Sequence, residues 1–458
     1  MSWIKKIFEP VDMIEGTPWQ KIAFFAIPML LGNIAQQLYN TVDSVVVGRY
    51  VGDNALAAVG SAAPLVNLLI VLFVGIGMGS TIMVSQYLGA RQRENLSRSI
   101  CSCIIITGVA CLFIMIFASL ASGKLLELLN TPESIIDWCH SYLLILFVGC
   151  AGSAYYNILS GVLRGLGDSI SALLYLVVAC VLNIVLDVFF VAKLNLGVNG
   201  VALATIIAQA VSAALCMRKL CKMTEFFEIK KEYFRNTKRY SSEIIKLGLP
   251  SGITQAIISL SMVVVQSLTN SFGEAFIAAN VMVMRVDGFA MLPNFSFGTA
   301  LTTYAGQNVG AGKFDRVKLG AKQGTIMAMG SSAAITALIL LFGRPLMGIF
   351  TETPELIEIG MTLLKILAVG YVAMAISQSL QGIMRGAGDT MTPMWLSLLT
   401  SVAIRVPLAY ILVFASKTPE LPQGRREFLY VSLLIAWLFG AFMSIVAYKK
   451  GKWKKIME

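Results

Sequence analysis

The 458-residue chain is 57% hydrophobic and 13% charged, where a soluble protein of ordinary composition carries about a quarter charged residues. That balance argues against a soluble enzyme. The formal net charge of +11 raises nucleic acid as a partner, but the basic residues sit in short clusters between apolar stretches, so no nucleic acid is expected. The clusters are Lys5–Lys6, Arg91–Arg98, Arg218–Lys246, Lys313–Lys322 and Lys449–Lys455.

A helix needs about 20 mostly apolar residues to cross the hydrocarbon core. In chain order such spans are predicted at 18–45, 55–84, 98–121, 134–162, 169–192 and 199–218. After a polar gap they resume at 244–271, 276–303, 323–343, 356–383, 393–415 and 428–448. The fold class that follows is an all-α integral membrane protein, twelve transmembrane helices in two pseudosymmetric six-helix lobes. The lobes are expected at 1–218 and 244–448, joined by a cytoplasmic linker at 219–243 and followed by a basic cytoplasmic tail at 449–458. The basic clusters all fall on one side of this topology, which places both termini in the cytoplasm and the chain in the cell membrane, with the bilayer as its partner. Residues 1–16 lack the apolar core of a cleavable signal peptide. Eight cysteines form no CxxC pair, and His140 is the only histidine, so a zinc site is not expected.

The two halves repeat. Gly161-Val-Leu-Arg164-Gly165-Leu-Gly167-Asp168-Ser169 matches Gly382-Ile-Met-Arg385-Gly386-Ala-Gly388-Asp389-Thr390, and Gln86-Tyr-Leu-Gly89-Ala90 matches Gln307-Asn-Val-Gly310-Ala311 at the same offset. Each half holds an even number of spans, so both cross in the same sense, an arrangement that usually serves alternating access. The short run Gly310-Ala-Gly312-Lys313 lacks the frame of a phosphate loop. No cofactor and no enzymatic motif are expected, and uphill transport would draw on an ion gradient.

A charge within the bilayer is costly and marks a functional site by default. Three carboxylates lie inside predicted spans: Asp43, Asp187 and Asp287. Gln36, Asn40 and Asp43 fall at helical spacings of four and three, on one face, and Asn183 and Asp187 are one turn apart on another helix. Thr205 reaches a similar depth. Asp43, Asn183, Asp187 and Thr205 are therefore candidates to hold a proton or a small hard cation such as Na+, with direct helix cross-linking as the alternative. Asp287 lies two residues from Arg285, and the pair either neutralises itself or meets substrate. Arg405, ahead of Pro407, reads as a structural or headgroup contact. At the repeat offset Asn183 and Asp187 correspond to Ile404 and Leu408, so this cluster belongs to the first half alone. Pro28 permits a kink in the first helix that would couple Asp43 to cavity shape. Gly75, Gly77 and Gly79 are expected to serve close helix packing.

These residues resemble the multidrug and toxic compound extrusion (MATE) transporters of bacterial type. The resemblance covers essentially the whole chain. It rests on Pro28, on Gln36-Gln-Leu-Tyr-Asn-Thr-Val-Asp43-Ser-Val-Val-Val-Gly48, on Ala55-Leu-Ala-Ala-Val59 and on Ser85-Gln-Tyr-Leu-Gly-Ala90. The paired Arg-Gly-x-Gly-Asp segments and Gly197-Val-Asn-Gly-Val-Ala-Leu-Ala-Thr205 complete it. It implies antiport of organic cations against H+ or Na+ by a monomer. The coupling site of the family would fall on Asp43, Asn183, Asp187 and Thr205, with Gln36, Asn40 and Asn157 lining the adjoining pocket. Some members carry a second-lobe ion site with a Glu and an Asp. Here the equivalent spans offer only Gln255, Gln266, Gln378 and Gln381 internally, which points to coupling through the first lobe. A flippase of lipid-linked or amphipathic substrates is the alternative, though it would favour a more cationic cavity.

Overall fold

Hydrocarbon offers no partner for a backbone N–H or C=O, so each apolar stretch must close its hydrogen bonds within itself as a helix. The computed structural model describes residues 10–128, 131–235 and 237–455. Among the described residues eleven helices are long and apolar enough to cross a bilayer, and one bent pair makes a twelfth. The chain is a multi-pass integral membrane protein. The helices are α1 (Pro18–Val46), α2 (Asp53–Gly89), α3 (Arg93–Leu128), α4 (Glu133–Val148 and Cys150–Gly165, bent by 50°), α5 (Ser169–Lys193) and α6 (Gly197–Lys222). The second six are α7 (Lys238–Asn270), α8 (Glu274–Gly310), α9 (Phe314–Gly348), α10 (Pro354–Gly386), α11 (Met391–Ala415) and α12 (Phe428–Lys450).

Large apolar side chains remain on the outside: Leu120 is 79% exposed, Leu341 75% and Val263 67%. On a soluble protein this surface would drive association, whereas facing lipid it costs nothing. Buried hydroxyls are satisfied locally. Thr81 donates to the Gly77 carbonyl, Thr107 to Cys103, Thr302 to Gly298 and Thr336 to Ser332, each one turn back.

The repeated glycines are crossing points. In the first half α4 lies so close to α2 that a Cβ on Gly161 would meet the Gly77 carbonyl at 2.7 Å, and one on Gly165 the Thr81 carbonyl at 2.8 Å. Thr81 Oγ1 also lies 2.9 Å from the Gly161 carbonyl across this crossing, so its one hydrogen is shared between the Gly77 and Gly161 carbonyls. The second half repeats the crossing, Gly382 on Gly298 and Gly386 on Thr302, between α10 and α8. Small residues permit such approach, and dispersion between the backbones then holds the pair. The same logic seats α7 on α2, where Gly248 meets Gly75 and Gly79. The packing role expected of Gly75, Gly77 and Gly79 is therefore visible atom by atom.

The end of the Arg-Gly-x-Gly-Asp segment turns the chain. Gly167 and Gly388 have φ of +91° and +97°, a backbone region closed to most side chains, and each is followed by a capping aspartate. Asp168 accepts from the Ser171 N–H at 2.9 Å and hydroxyl at 2.7 Å, and pairs with Lys219 at 3.3 Å. Asp389 caps the Thr392 N–H at 3.0 Å, with no ion pair among the described residues.

The helices gather into two compact units, one of residues up to Asp12 with Ile27–Gly252, the other of Met13–Ala26 with Ile253–Glu458. Both leading helices, α1 and α7, thus change unit part-way along. In the second unit Met13 N–H donates to Gln307 Oε1 at 3.1 Å, and Arg316 donates to the Gly16 carbonyl at 2.8 Å and the Met13 carbonyl at 3.1 Å. In the first, Arg93 holds the Thr224 carbonyl at 2.6 Å and Glu228 at 3.0 Å, and Tyr240 donates to Asn95 at 2.8 Å. Glu228 also pairs with Lys230, whose ammonium keeps its carboxylate below the usual range. The repeated Gln-x-x-Gly-Ala ends in the second half thus help seat the segment that precedes α1.

Two outcomes follow for stability in detergent. Gly248→Ala costs about 1–3 kcal/mol through overpacking and lowers the melting temperature, whereas Gly330→Ala, with open space around it, leaves it unchanged or slightly raised. Asp168→Ala costs about 2 kcal/mol because it removes a cap and the ion pair with Lys219, and Asp389→Ala costs about 1 kcal/mol for the cap alone. Equal losses at the two aspartates would contradict the asymmetry described here.

Candidate functional site

Helix α5 ends in a wide π-helical turn, Phe189–Lys193, which begins two residues after Asp187. α1 passes into a similar turn, Val47–Val51, shortly after Asp43. The two turns pack on each other and on α6. This brings the ends of α1 and α5 and the first turns of α6 together within the first unit. Such turns redirect side chains at functional sites, and hydropathy gives no sign of them.

Asp187 is fully buried and Asn183 is 1% exposed, while Thr205 on α6 is half-buried. With its nitrogen toward Asp187, the Asn183 amide donates to Oδ2 at 2.9 Å and its oxygen accepts from the Thr205 N–H at 3.2 Å. This orientation suits an ionised carboxylate. Turned over, the amide places Nδ2 at 3.5 Å from Thr205 Oγ1 and its oxygen against Asp187, which then needs a proton on the carboxyl. Either way the pair stays hydrogen-bonded without moving the backbone. Thr205 Oγ1 donates to the Val201 carbonyl at 3.0 Å, leaving its lone pairs available as acceptors. The cluster therefore offers a carboxylate, an amide and a hydroxyl, the donor set for a proton or a small hard cation.

Asn183 and Asp187, grouped by their helical spacing, and Thr205, placed with them by depth, stand together. The side chains of Asn40 and Asp43 lie outside those described; their backbone belongs to α1. Gln36 is half-buried on the same helix. Asn157 is half-buried on α4, where its amide donates to the Ser153 carbonyl at 2.8 Å.

In the second unit the pairing of Arg285 with Asp287 is not formed. Arg285 is exposed, and Asp287 instead lies beside the Tyr371 hydroxyl and in the field of Arg405. Arg405 thus lies in the field of a carboxylate, the structural one of the two contacts expected for it. The pair was hidden from sequence reasoning because its members are 118 positions apart (287 to 405) on different helices. Gln381 and Gln266 spend their amides on Ser377 and Asn270, at 2.9 and 2.8 Å.

The MatE family model matches this chain twice, over residues 28–189 and 250–411, two stretches of equal length that coincide with the two halves. The probable multidrug resistance protein YoeA of Bacillus subtilis is 29% identical over 446 residues, 95% of this chain and 94% of that protein. YpnP of the same organism, named in the same way, is 28% identical over 450 residues, 97% of each. In structure, a MOP superfamily transporter from Pyrococcus furiosus matches with a TM-score of 0.90 over 98% of this chain and 99% of that one. At 24% identity that likeness is one of fold. The doubled match, with the repeated crossings and turns that underlie it, establishes that this chain belongs to the MatE family of transporters.

Proposed function

We propose that this protein exports small organic molecules, mostly cations, from the cell by antiport against H+ or Na+. The observation that carries the reading is the buried Asp187–Asn183–Thr205 network. A carboxylate removed from water is retained only where it does something or is firmly paired. Here one partner is an amide able to serve either protonation state. Asp43, one helical turn ahead of the π-helical turn of α1, joins this network as the second carboxylate of the coupling site. Na+ would take the same oxygens as ligands, and H+ would use the carboxyls alone. Gln36, Asn40 and Asn157 line the adjoining path of the organic cation.

The curated relatives that this chain matches along nearly its whole length are named as probable multidrug resistance proteins, which supports export of varied drugs. The protein works as a monomer in the cell membrane with both termini in the cytoplasm, the side that receives the basic clusters. Pro28 lies inside α1, where the missing N–H lets the helix bend. Bending would transmit the charge state of Asp43 to the cavity. No cofactor beyond the coupling ion takes part.

The test is uptake of a fluorescent organic cation into everted membrane vesicles under imposed H+ or Na+ gradients. Wild type accumulates the dye with one of the two gradients. Asp43→Asn and Asp187→Asn lower the gradient-driven rate by about tenfold or more, since each removes a charge the cycle must neutralise. Pro28→Ala lowers it as well. Gradient-independent uptake, or carboxamide variants as fast as wild type, would overturn the reading.

A further inference from the structure

The second unit holds a partly open pocket between α7, α8, α10, α11 and α12. Its lining combines apolar side chains, among them Met262, Met284, Leu367 and Leu433, with the polar Gln266, Thr269, Asn280, Asp287, Arg405 and Tyr430. Most of those polar groups are already occupied. Tyr430 donates to Asn280 Oδ1 at 2.6 Å, Gln266 donates to Asn270 at 2.8 Å, and Thr269 donates to the Val265 carbonyl at 3.2 Å.

The two charged groups are different. Asp287 and Arg405 both line the pocket, yet no ion pair within 4.0 Å joins them among the described residues. Asp287 Oδ1 and Arg405 Nε are buried atoms that make no hydrogen bond, and the Asp287 carboxylate has the uncharged Tyr371 hydroxyl as a polar neighbour. Buried charges are ordinarily paired and hydrogen-bonded. A planar guanidinium is suited to a carboxylate or phosphate, which it binds through two parallel N–H groups. Here the acceptor and the donor face one cavity while standing apart. Arg405 is set in place by the π-helical turn Leu399–Ile404 that immediately precedes it.

We propose that this pocket is a ligand site selective for small amphipathic zwitterions. The ligand's cationic group meets Asp287, its anionic group meets Arg405, and its apolar body lies along Met262, Met284, Leu367 and Leu433. A purely cationic ligand would leave Arg405 buried and unmatched, and a purely anionic one would leave Asp287 so. The site differs chemically from the Asp187–Asn183–Thr205 network of the first unit, where the carboxylate meets an amide. It does not depend on the antiport proposed above.

The probe is Nε-dansyl-L-lysine, a zwitterion whose dansyl group brightens in apolar surroundings. It is compared with its methyl ester, which is cationic only, and its Nα-acetyl form, which is anionic only. Binding is measured by fluorescence titration of the full-length protein in detergent, with no gradient imposed. Wild type binds the zwitterion at least about tenfold more tightly than either relative, as expected for a lost charge-assisted hydrogen bond. Arg405→Gln brings the zwitterion level with the ester, and Asp287→Asn brings it level with the acetyl form. The ranking on wild type needs no variant, so it stands even if a substitution impairs folding. Equal binding of the three probes to wild type would overturn the proposal. So would an unchanged ranking in both variants when these melt like wild type.

Discussion

Inside a bilayer a polar group that finds no partner in the protein finds none at all, and this constraint organises the molecule. Hydroxyls comply cheaply by bonding one turn back along their own helix, as Thr81, Thr107 and Thr302 do. Glycines comply by omission, letting α2 and α4, and again α8 and α10, approach until their backbones touch. Side chains with real charge cannot be settled so simply. Two of the places where they sit matter for chemistry: Asp187 with an amide beside it, and Asp287 with Arg405. The contrast between these two clusters is the chemical content of the fold.

The repeat duplicates the scaffold and not the charges. Gly161, Gly165 and Asp168 recur as Gly382, Gly386 and Asp389 in the same structural roles, crossing and capping. Asp187, by contrast, gives way to Leu408, while Arg405 stands one position past the equivalent of Asn183. One unit therefore buries a carboxylate against an amide, the place where we propose a small cation is taken up and released. The other presents opposite charges to one cavity.

Much of this was legible in the sequence because it depends on local pattern. Apolar length located the spans, helical spacing grouped Asn183 with Asp187, and the recurring glycines marked close packing. What escaped depends on distant residues or on backbone detail. The break of α4 at Gly149, where a side chain would collide with Ile206, sits within a stretch that reads as one continuous span. The π-helical turns beside Asp43, Asp187 and Arg405 occupy ordinary apolar sequence. The exchange of α1 and α7 between units rests on contacts such as Met13 with Gln307, nearly three hundred residues apart (a separation of 294). Arg285 looked like the partner of Asp287 because it is near in sequence, but two residues along a helix point away from each other.

The central claim is that the coupling ion and the organic cation compete through the first-unit carboxylates. Linkage makes it measurable without any transport assay: an ion that opposes substrate binding must lower substrate affinity as its own concentration rises. The measurement is the affinity of purified protein for a fluorescent organic cation across a grid of pH and Na+ concentration, for wild type and Asp187→Asn. The account predicts that wild-type affinity falls along one of the two axes and that the variant is flat along it. A wild type indifferent to both ions, or a variant that keeps the full dependence, would contradict it.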